Sequence, residues 1–256
     1  MTIIKEFTSE KLKVKIYNSR QAMGLEAAVE AASKIKELIA KKGEINMIFA
    51  AAPSQNEFLA SLVADSEIDW SKVNAFHMDE YIGLGSDAPQ GFGNFLRDRI
   101  FGKVGFKSVN YLNGNAANIE EECARYSDLL KNNPTDIVCM GIGENGHIAF
   151  NDPHVAEFND SKLVKAVELD DKCRNQQVND GCFANFNLVP THALTLTIPA
   201  LMAAKVAFCM VPAKTKADAV YNTVNGEISE VCPASILRTR DNATLYVDMD
   251  SGSKLL

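Results

Sequence analysis

Residues Ser19–Ala52 read SRQAMGLEAAVEAASKIKELIAKKGEINMIFAAA, and this stretch decides the class of fold. Its first part repeats apolar residues at helical spacing, which predicts a helix over Ser19–Lys42 that ends at Gly43. The second part, Ile45–Ala52, is short and almost wholly apolar, which predicts a strand buried on both faces. A helix that leads directly into such a strand is typical of βαβ units and a parallel sheet.

The same alternation continues along the chain and contains no linker, repeat or low-complexity segment. It predicts one α/β domain over residues 1–256. The further helices are expected at Ser54–Val63, Phe95–Phe101, Ile119–Leu130 and Lys214–Val224, the last just before Gly226. The further strands are expected at Val73–Met78, Asp136–Met140, Leu194–Ile198, Val206–Val211 and Thr244–Val247.

The amino-acid composition favours a globular protein and argues against nucleic-acid and membrane partners. Of 256 residues, 46% are hydrophobic and 23% are charged, which predicts a packed core. The net charge of -7 argues against a nucleic-acid surface, because such binding needs basic residues. No apolar run is long enough to cross a bilayer or to serve as a signal peptide, so we expect no membrane partner and a cytoplasmic location.

The six cysteines have no C-x-x-C pair and no metal-type spacing with histidine. They are therefore predicted to be buried free thiols, and no metal site is expected. The sequence also lacks a G-x-S-x-G elbow and a P-loop.

Ligands of parallel sheets bind beyond the carboxyl ends of strands, so the residues that follow a predicted strand are the first candidates for chemistry. At Phe76–Tyr81 a strand ends in two adjacent carboxylates, Asp79 and Glu80. In one interpretation Asp79 caps a helix or forms a turn, and Glu80 is a solvated charge. In the other, one of the two is a general base in a cleft.

A second candidate segment, Gly141–Pro153, contains G-x-G-x-x-G after a strand. A dinucleotide site is not expected, because the glycines lead into HIAFNDP and a proline instead of a long helix. His147 and Asp152 could form a proton-transfer pair, since a carboxylate can orient an imidazole and hold its charged form. A purely structural histidine is the alternative.

The third candidate is the strand-to-helix junction Ala50–Glu57, where free N–H groups could bind a phosphate. Ser54 and Glu57 also have the S-x-x-E spacing of a capping box, which would satisfy the helix start instead.

The segments Phe76–Leu84 and Gly141–Pro153 resemble the glucosamine-6-phosphate deaminase/isomerase family, and two long motifs in the right order are a specific signal. The resemblance extends over nearly the whole chain. It includes Tyr111–Gly114, Val189–Pro190, Ala193–Thr195, Lys216–Ala217 and Pro233–Leu237.

This resemblance implies a Rossmann-like parallel sheet flanked by helices on both faces. It implies conversion of an amino-sugar 6-phosphate to a ketose 6-phosphate and ammonia, without a metal or redox cofactor. Asp79 matches the family's base for C2 and C1, His147 its ring-opening histidine, and Asn145 and Asp152 the positions that support that histidine. The candidate substrate-binding residues are Ser54, Gln55, Asn56, Glu80, Tyr81, Gly143, Gly146, Arg174, Gln177 and Lys216.

The chain departs from the family pattern where the phosphate should bind. Ala51–Ser54 replaces a loop of glycines and threonines, and Gln177 aligns with a phosphate-binding arginine. Lys216 matches the family's lysine. We therefore hypothesise that the protein either recruits Arg174 or accepts a terminal group less charged than a phosphate. At position 152, aspartate replaces the more common glutamate and is one methylene shorter.

Two rival functions remain at this point. A 6-phosphogluconolactonase shares the fold and a G-H turn, but it usually lacks M-D-E-Y. A sugar-phosphate sensor without chemistry would fit the altered loop, although the presence of Asp79 and His147 argues against it. A homo-oligomer is possible.

Overall fold

A central eight-stranded sheet organises the chain in the computed structural model, which describes residues 2–256. The strand order is β1-β2-β11-β10-β7-β3-β4-β6, and every pair is parallel except the β1–β2 hairpin at one edge. These strands are β1 (Ile3–Ser9), β2 (Leu12–Tyr17), β3 (Ile45–Phe49), β4 (Val73–His77), β6 (Ser108–Asn110), β7 (Ile137–Met140), β10 (Val206–Val211) and β11 (Ala243–Asp248).

The first helix and strand follow the sequence prediction closely. Helix α1 (Arg20–Lys42) begins where the Ser19 hydroxyl accepts a hydrogen bond from the N–H of Ala22. It ends at Gly43, whose φ of 84° is the left-handed conformation that glycine adopts without strain. Strand β3 stops at Phe49, three residues earlier than expected, because the chain leaves the sheet there to form the wall of a pocket.

Helices cover both faces of the sheet, as expected. On β3, Met47 and Phe49 point to the face that packs on α1, whereas Ile48 points to the opposite face. That opposite face is covered by α4 (Ile119–Asn132) and α7 (Ala217–Asn225). Burial of both faces explains why the strand sequences are continuously apolar instead of alternating.

A second, three-stranded antiparallel sheet was not predicted. It has the order β5-β9-β8, with β5 (Asp79–Tyr81), β8 (Val164–Glu168) and β9 (His192–Leu196). The predicted strand at Leu194–Ile198 thus starts two residues earlier and lies outside the parallel sheet. The chain switches sheets directly after β4, where the N–H of Leu196 donates to the carbonyl of Met78 at 2.8 Å.

The remaining helices agree with the sequence prediction in part. The expected third helix begins earlier, as α3 (Phe92–Leu96), and continues as a π-helical turn over Arg97–Phe101. Short 3-10 turns precede α2 (Asn56–Ala64) and α7. Several elements were not predicted from the sequence: the β1–β2 hairpin, β6, β8, α5 (Asp171–Asn179) and α6 (Ile198–Met202).

All six cysteines are free thiols. Four of them are buried, as predicted, whereas Cys123 and Cys182 are only half-buried. No helix among residues 2–256 is long and apolar enough to cross a membrane.

Candidate active site

A pocket of about 90 Å³ opens at the carboxyl ends of β3, β4, β7 and β10, where the parallel sheet predicts a ligand. We call it the strand-end pocket. Each of the three candidate segments contributes to it, and α5 closes one side. Its lining consists of Arg20, Ala50–Ser54, Met78, Asp79, Phe92, Gly141–Gly143, His147, Ala149, Phe150, Gln176, Gln177, Asp180, Pro212, Ala213 and Lys216.

Asp79 is a buried acidic residue in the lining of the strand-end pocket. It is the first residue of β5, so the alternative in which it caps a helix is wrong. Its side chain is buried, and its Oδ1 has no hydrogen-bond partner in the described part of the chain. Burial, with a smaller contribution from the charge of Glu80, raises the pKa of Asp79 well above its usual value. A carboxylate in this state is a strong general base.

Glu80 points away from the strand-end pocket. Its carboxylate accepts hydrogen bonds from the N–H groups of Tyr81, Phe92 and Gly93 at 2.8 to 3.0 Å, which fixes the start of α3. It is therefore neither a solvated charge nor part of the pocket lining. Side chains alternate along a strand, so adjacent Asp79 and Glu80 face opposite sides.

Tyr81 also lies behind the pocket wall. Its ring packs against Phe92, Phe150 and Phe183, and it is almost fully buried. We assign it a packing role, because it does not line the strand-end pocket. A larger cavity, of about 310 Å³, lies on the Glu80 side, but neither Asp79 nor His147 lines it.

His147 and Asp152 come together as the sequence predicted. The imidazole Nδ1 lies 2.9 Å from Oδ1 of Asp152. Nδ1 makes no hydrogen bond in the described part of the chain, so we describe the arrangement as a close contact with the carboxylate that orients the ring. The ring rests on Gly143, where a Cβ would lie 2.1 to 2.4 Å from three ring atoms. Only glycine fits at this position.

Asp152 is held by a buried network. It accepts hydrogen bonds from the Asn145 amide at 2.8 Å and from the N–H of Asp170 at 3.1 Å. Burial raises the pKa of Asp152, but His147, Asn145 and Asp170 outweigh it, and the net pKa is lowered. Asn145 also accepts the N–H of His147 at 3.0 Å. Asn145 and Asp152 thus both contact His147, and their supporting roles stay a prediction.

The turn that holds His147 excludes a dinucleotide site. It continues into an isolated bridge between Ile148 and Asn151 and not into a helix. Gly146 has a φ of 86°, and a Cβ there would lie 2.8 Å from the sulfur of Cys232. It serves the turn and does not line the strand-end pocket.

Lys216 is a buried cation at the far end of the strand-end pocket. Only 4% of it is exposed, and its Nζ has no hydrogen-bond partner among residues 2–256. Burial lowers its pKa, although the carboxylates of Asp180 and Glu144 oppose this shift. An ammonium without a partner is unfavourable in a buried position, so this end of the pocket suits an anionic group.

The capping box predicted at Ser54 and Glu57 does not form. Helix α2 starts at Asn56, and Glu57 instead accepts a hydrogen bond from the Nε of Arg20 at 2.7 Å. The ion pair between Glu57 and Arg20 has replaced the local hydrogen bonds of a capping box. Ser54 therefore keeps its hydroxyl at the pocket wall, where it accepts a hydrogen bond from the side chain of Gln55 at 3.0 Å.

Two neighbours of Ser54 do not line the strand-end pocket. The Gln55 amide lies near the carbonyls of Met140 and Met210, at 3.4 and 3.3 Å, and ties the junction to the sheet. The Asn56 side chain accepts a hydrogen bond from Arg99 at 2.6 Å.

Arg174 does not replace the missing arginine. Its guanidinium donates to the carbonyls of Phe186 and Val189 at 3.1 and 2.9 Å, and it stacks on the ring of Phe186. It lies outside the strand-end pocket, whereas Gln177 lines it. The reason is that its side chain binds the segment that contains Phe186 and Val189, which follows α5 in the chain.

Arg20 is one of the polar lining residues that were not predicted from the sequence, together with Gln176 and Asp180. It pairs with Glu57 and donates to the carbonyl of Pro53, so it braces the loop in front of Ser54. The sequence contained a sign of this role. A cation in the first turn of a helix interacts unfavourably with the helix dipole, so its presence suggests that it has a partner elsewhere in the fold.

Comparisons with known proteins identify the family of this chain. The family of glucosamine-6-phosphate isomerases and 6-phosphogluconolactonases matches residues 18–246, and the chain belongs to it. Among its relatives is a glucosamine-6-phosphate deaminase of Listeria innocua, 34% identical over 238 residues, which are 92% of this chain and all of the relative. A deaminase of Bacillus cereus is 34% identical over 226 residues, 88% of this chain and 84% of the relative.

Solved structures of similar proteins have the same fold as this chain. A monomeric glucosamine-6-phosphate deaminase superposes with a TM-score of 0.84 at 30% identity, covering 94% of this chain and 98% of that one. The 6-phosphogluconolactonase of Trypanosoma brucei superposes with a TM-score of 0.79 at 15% identity, covering 97% and 100%, and shares the fold. The family resemblance and the predicted fold class are thus confirmed.

Proposed function

We propose that this protein converts an amino-sugar 6-phosphate, glucosamine-6-phosphate or a close relative, to a ketose 6-phosphate and ammonia. One observation carries the proposal: a buried carboxylate, a carboxylate-oriented histidine and an unpartnered lysine face the same strand-end pocket. The deaminase relatives support the choice of substrate class.

The proposed reaction begins with ring opening. His147 takes the proton of the C1 hydroxyl and returns a proton to the ring oxygen as the C1–O5 bond breaks. Asp152, held ionised by its network, keeps the imidazole oriented and stabilises its charged form.

Asp79 then carries the proton transfer between neighbouring carbons. Its carboxylate removes the proton from C2 and returns it to C1, while the C1 aldehyde oxygen gains a proton and the ammonium on C2 loses one. These transfers leave an alcohol at C1 and a protonated imine at C2. Water adds to this imine and ammonia leaves, giving the ketose. The raised pKa of Asp79 suits both steps, because a stronger base removes a carbon-bound proton more readily and then holds it for return.

Lys216, Ser54 and Gln177 would receive the terminal group of the sugar. With Arg174 outside the strand-end pocket and Arg20 paired to Glu57, Lys216 is the lining cation that has no hydrogen-bond partner in the described part of the chain. The structure therefore argues against the first half of our hypothesis, the recruitment of Arg174, and we expect Lys216 to carry the recognition of the phosphate.

A substrate panel tests the proposal. Purified protein is incubated with glucosamine-6-phosphate, its epimers, unphosphorylated amino sugars and 6-phosphogluconolactone, and released ammonia and opened lactone are both measured. Ammonia from an amino sugar supports the deaminase. Lactone hydrolysis without ammonia would replace it by the lactonase, and ligand binding without turnover would favour a sensor.

A cytoplasmic location belongs to this proposal, because charged sugar phosphates do not cross membranes unaided. A homo-oligomer stays a prediction, since one structural relative is described as monomeric. Light scattering during gel filtration measures the oligomeric state directly.

A further inference from the structure

A cluster of three metal-ligating side chains lies directly behind the strand-end pocket. It consists of His147, Asp152 and Cys173, whose ligand atoms all lie within 4.8 Å of one another, and all three residues are buried. Cys173 is in the first turn of α5, so the helix that closes the pocket brings its thiol to the histidine. Nδ1 of His147 is buried and makes no hydrogen bond in the described part of the chain.

We propose that these three side chains form a binding site for a thiophilic divalent cation, zinc in particular, and that this cation inhibits the reaction. The inhibition rests on the proposed function, whereas the binding does not. An imidazole nitrogen, a carboxylate oxygen and a thiolate sulfur are the ligands that zinc prefers. A soft thiolate selects zinc over magnesium or calcium.

The geometry requires little movement. Zinc lies about 2.0 to 2.3 Å from such ligand atoms, so the ligands of a tetrahedral site are about 3.3 to 3.8 Å apart. The three ligand atoms here already lie within 4.8 Å of one another. Asp152 can ligate through Oδ1 and keep Oδ2 on the N–H of Asp170. The Cys173 thiol releases its proton to solvent as the metal–sulfur bond forms. Three protein ligands leave a fourth position for water.

The bound cation would stop the chemistry in a defined way. The cation binds Nδ1 of His147, the ring nitrogen that lies next to Asp152 in the metal-free structure. The positive charge of the cation opposes protonation of the same ring. Ring opening needs that ring to accept a proton. The cation therefore blocks the first step while leaving Asp79 and Lys216 untouched.

Cobalt reports on the proposed site without any activity measurement. Metal-free protein is titrated with Co²⁺, whose bond to a thiolate gives a charge-transfer band in the near ultraviolet, and Zn²⁺ affinity is measured by competition with a chromophoric chelator. We expect one cation per chain. The change Cys173→Ser should abolish the band and weaken zinc binding at least about tenfold, in line with the loss caused by removing groups around a metal.

Two matched controls sharpen the test. Cys123→Ser removes a half-buried thiol outside the cluster, and the band should persist. His154→Gln alters the only other metal-type group among residues 2–256, formed by Asp152, His154 and Asp170, and zinc affinity should not change. A band that survives in Cys173→Ser, or that Cys123→Ser removes, would overturn the site. Cys173→Ala, checked by circular dichroism, serves if the serine variant is unfolded.

Ammonia release tests the inhibition separately. Zinc should inhibit the wild type reversibly, with recovery on adding a chelator, and Cys173→Ser should need at least about tenfold more zinc for the same inhibition. Zinc binding with unchanged ammonia release would overturn the inhibitory role. If no substrate yields ammonia at all, the proposed function fails, while the cobalt band still decides whether the site exists.

Discussion

Asp79 is the residue on which the proposed chemistry depends. Replacing it with asparagine keeps the shape and hydrogen-bonding capacity of the side chain but removes the base for C2. We expect Asp79→Asn to lower kcat by about 10²-fold or more while substrate binding stays nearly unchanged. Steady-state ammonia release and a direct binding titration measure the two quantities. A variant that retains more than about a tenth of wild-type kcat would show that another group is the base.

The same burial predicts how activity depends on pH. Because the pKa of Asp79 is raised in the folded protein, kcat/KM should fall as the pH decreases through that raised value, at a higher pH than for an ordinary aspartate. A pH–rate profile measures the position of this acid limb. An acid limb at the pKa of an unperturbed aspartate would contradict the assignment of Asp79 as the base.

Stability should change in the opposite direction from activity at this position. A folded-state pKa above the unfolded value contributes stability at low pH that is lost as the pH rises through the folded pKa. At neutral pH, Asp79→Asn should therefore raise the free energy of unfolding by about 0.5 to 2 kcal/mol, and the gain should shrink on acidification. Urea denaturation at several pH values measures it.

His147 has a task that can be separated from that of Asp79. We expect His147→Gln to impair turnover of the closed-ring sugar more than turnover of an open-chain analogue, since the analogue needs no ring opening. Comparing kcat/KM for the two substrates in wild type and variant measures this difference. Equal losses on both would assign the histidine a different role.

Lys216 should determine the preference for an anionic substrate. A hydrogen bond from a charged group contributes about 1.5 to 3 kcal/mol, so Lys216→Met should raise KM for the phosphorylated sugar about tenfold to a hundredfold. Arg174→Met is the matched control, and it should leave the preference unchanged because Arg174 binds the carbonyls of Phe186 and Val189. A wild type indifferent to the phosphate would favour a less charged substrate.

At the scale of elements, the turn after β7 holds the histidine in place. Adding a methyl group in Gly143→Ala would force the His147 ring to move, because the new Cβ would overlap it. A displacement of about 1 Å at a catalytic group can cost roughly 10²-fold in rate, so we expect a large loss of kcat in a folded protein. Gly105→Ala is the control, since its Cβ would meet no atom within 4 Å. Similar activity in both variants would disprove the positioning role.

Strand β5 places the base, although it is only three residues long. Its register pairs Asp79 with Thr195 and Tyr81 with Ala193 on β9. Because consecutive side chains alternate, this pairing turns Asp79 into the strand-end pocket and Glu80 to the other side, where it anchors α3. The small antiparallel sheet thus separates two adjacent carboxylates that the sequence alone presents as equivalent.

At the scale of the whole molecule, Asp136 stabilises the end of the sheet opposite the strand-end pocket. The fully buried carboxylate binds Lys42 at 2.6 Å, Lys205 at 3.0 Å and the N–H of Asn46 at 3.0 Å. Burial raises its pKa, but these partners outweigh it, and the net pKa is lowered. A lowered pKa contributes stability above the unfolded pKa that is lost as the pH falls through the folded value.

Removing this charge should destabilise the fold without affecting the chemistry. We expect Asp136→Asn to lower the free energy of unfolding by about 2 kcal/mol at neutral pH, which is roughly 4 to 8 °C in Tm for a chain of this size. Kinetics below the unfolding transition should match the wild type, because the site lies at the other end of the strands. Thermal denaturation and ammonia release test the two halves of the prediction.

The sequence by itself determined the parallel sheet and the position of the site. Both follow from local causes: buried strands such as Ile45–Phe49 are apolar without alternation, and ligands bind where such strands end. The G-x-G-x-x-G turn with His147 was also predictable, because the proline that follows excludes a dinucleotide-binding helix. These features depend on residues that are close together in the chain.

Only the tertiary structure decided which charged groups enter the strand-end pocket. Arg20 reaches it because Glu57 pairs with it across 37 positions in place of capping α2, while Arg174 is drawn away by backbone carbonyls. Helix α5 is too polar to show an apolar face in the sequence. It is held in position by its N-terminal cap at Asp170 and by its contacts around the pocket. Each of these side chains has alternative partners that are distant in sequence, so local sequence patterns do not show which partner it binds.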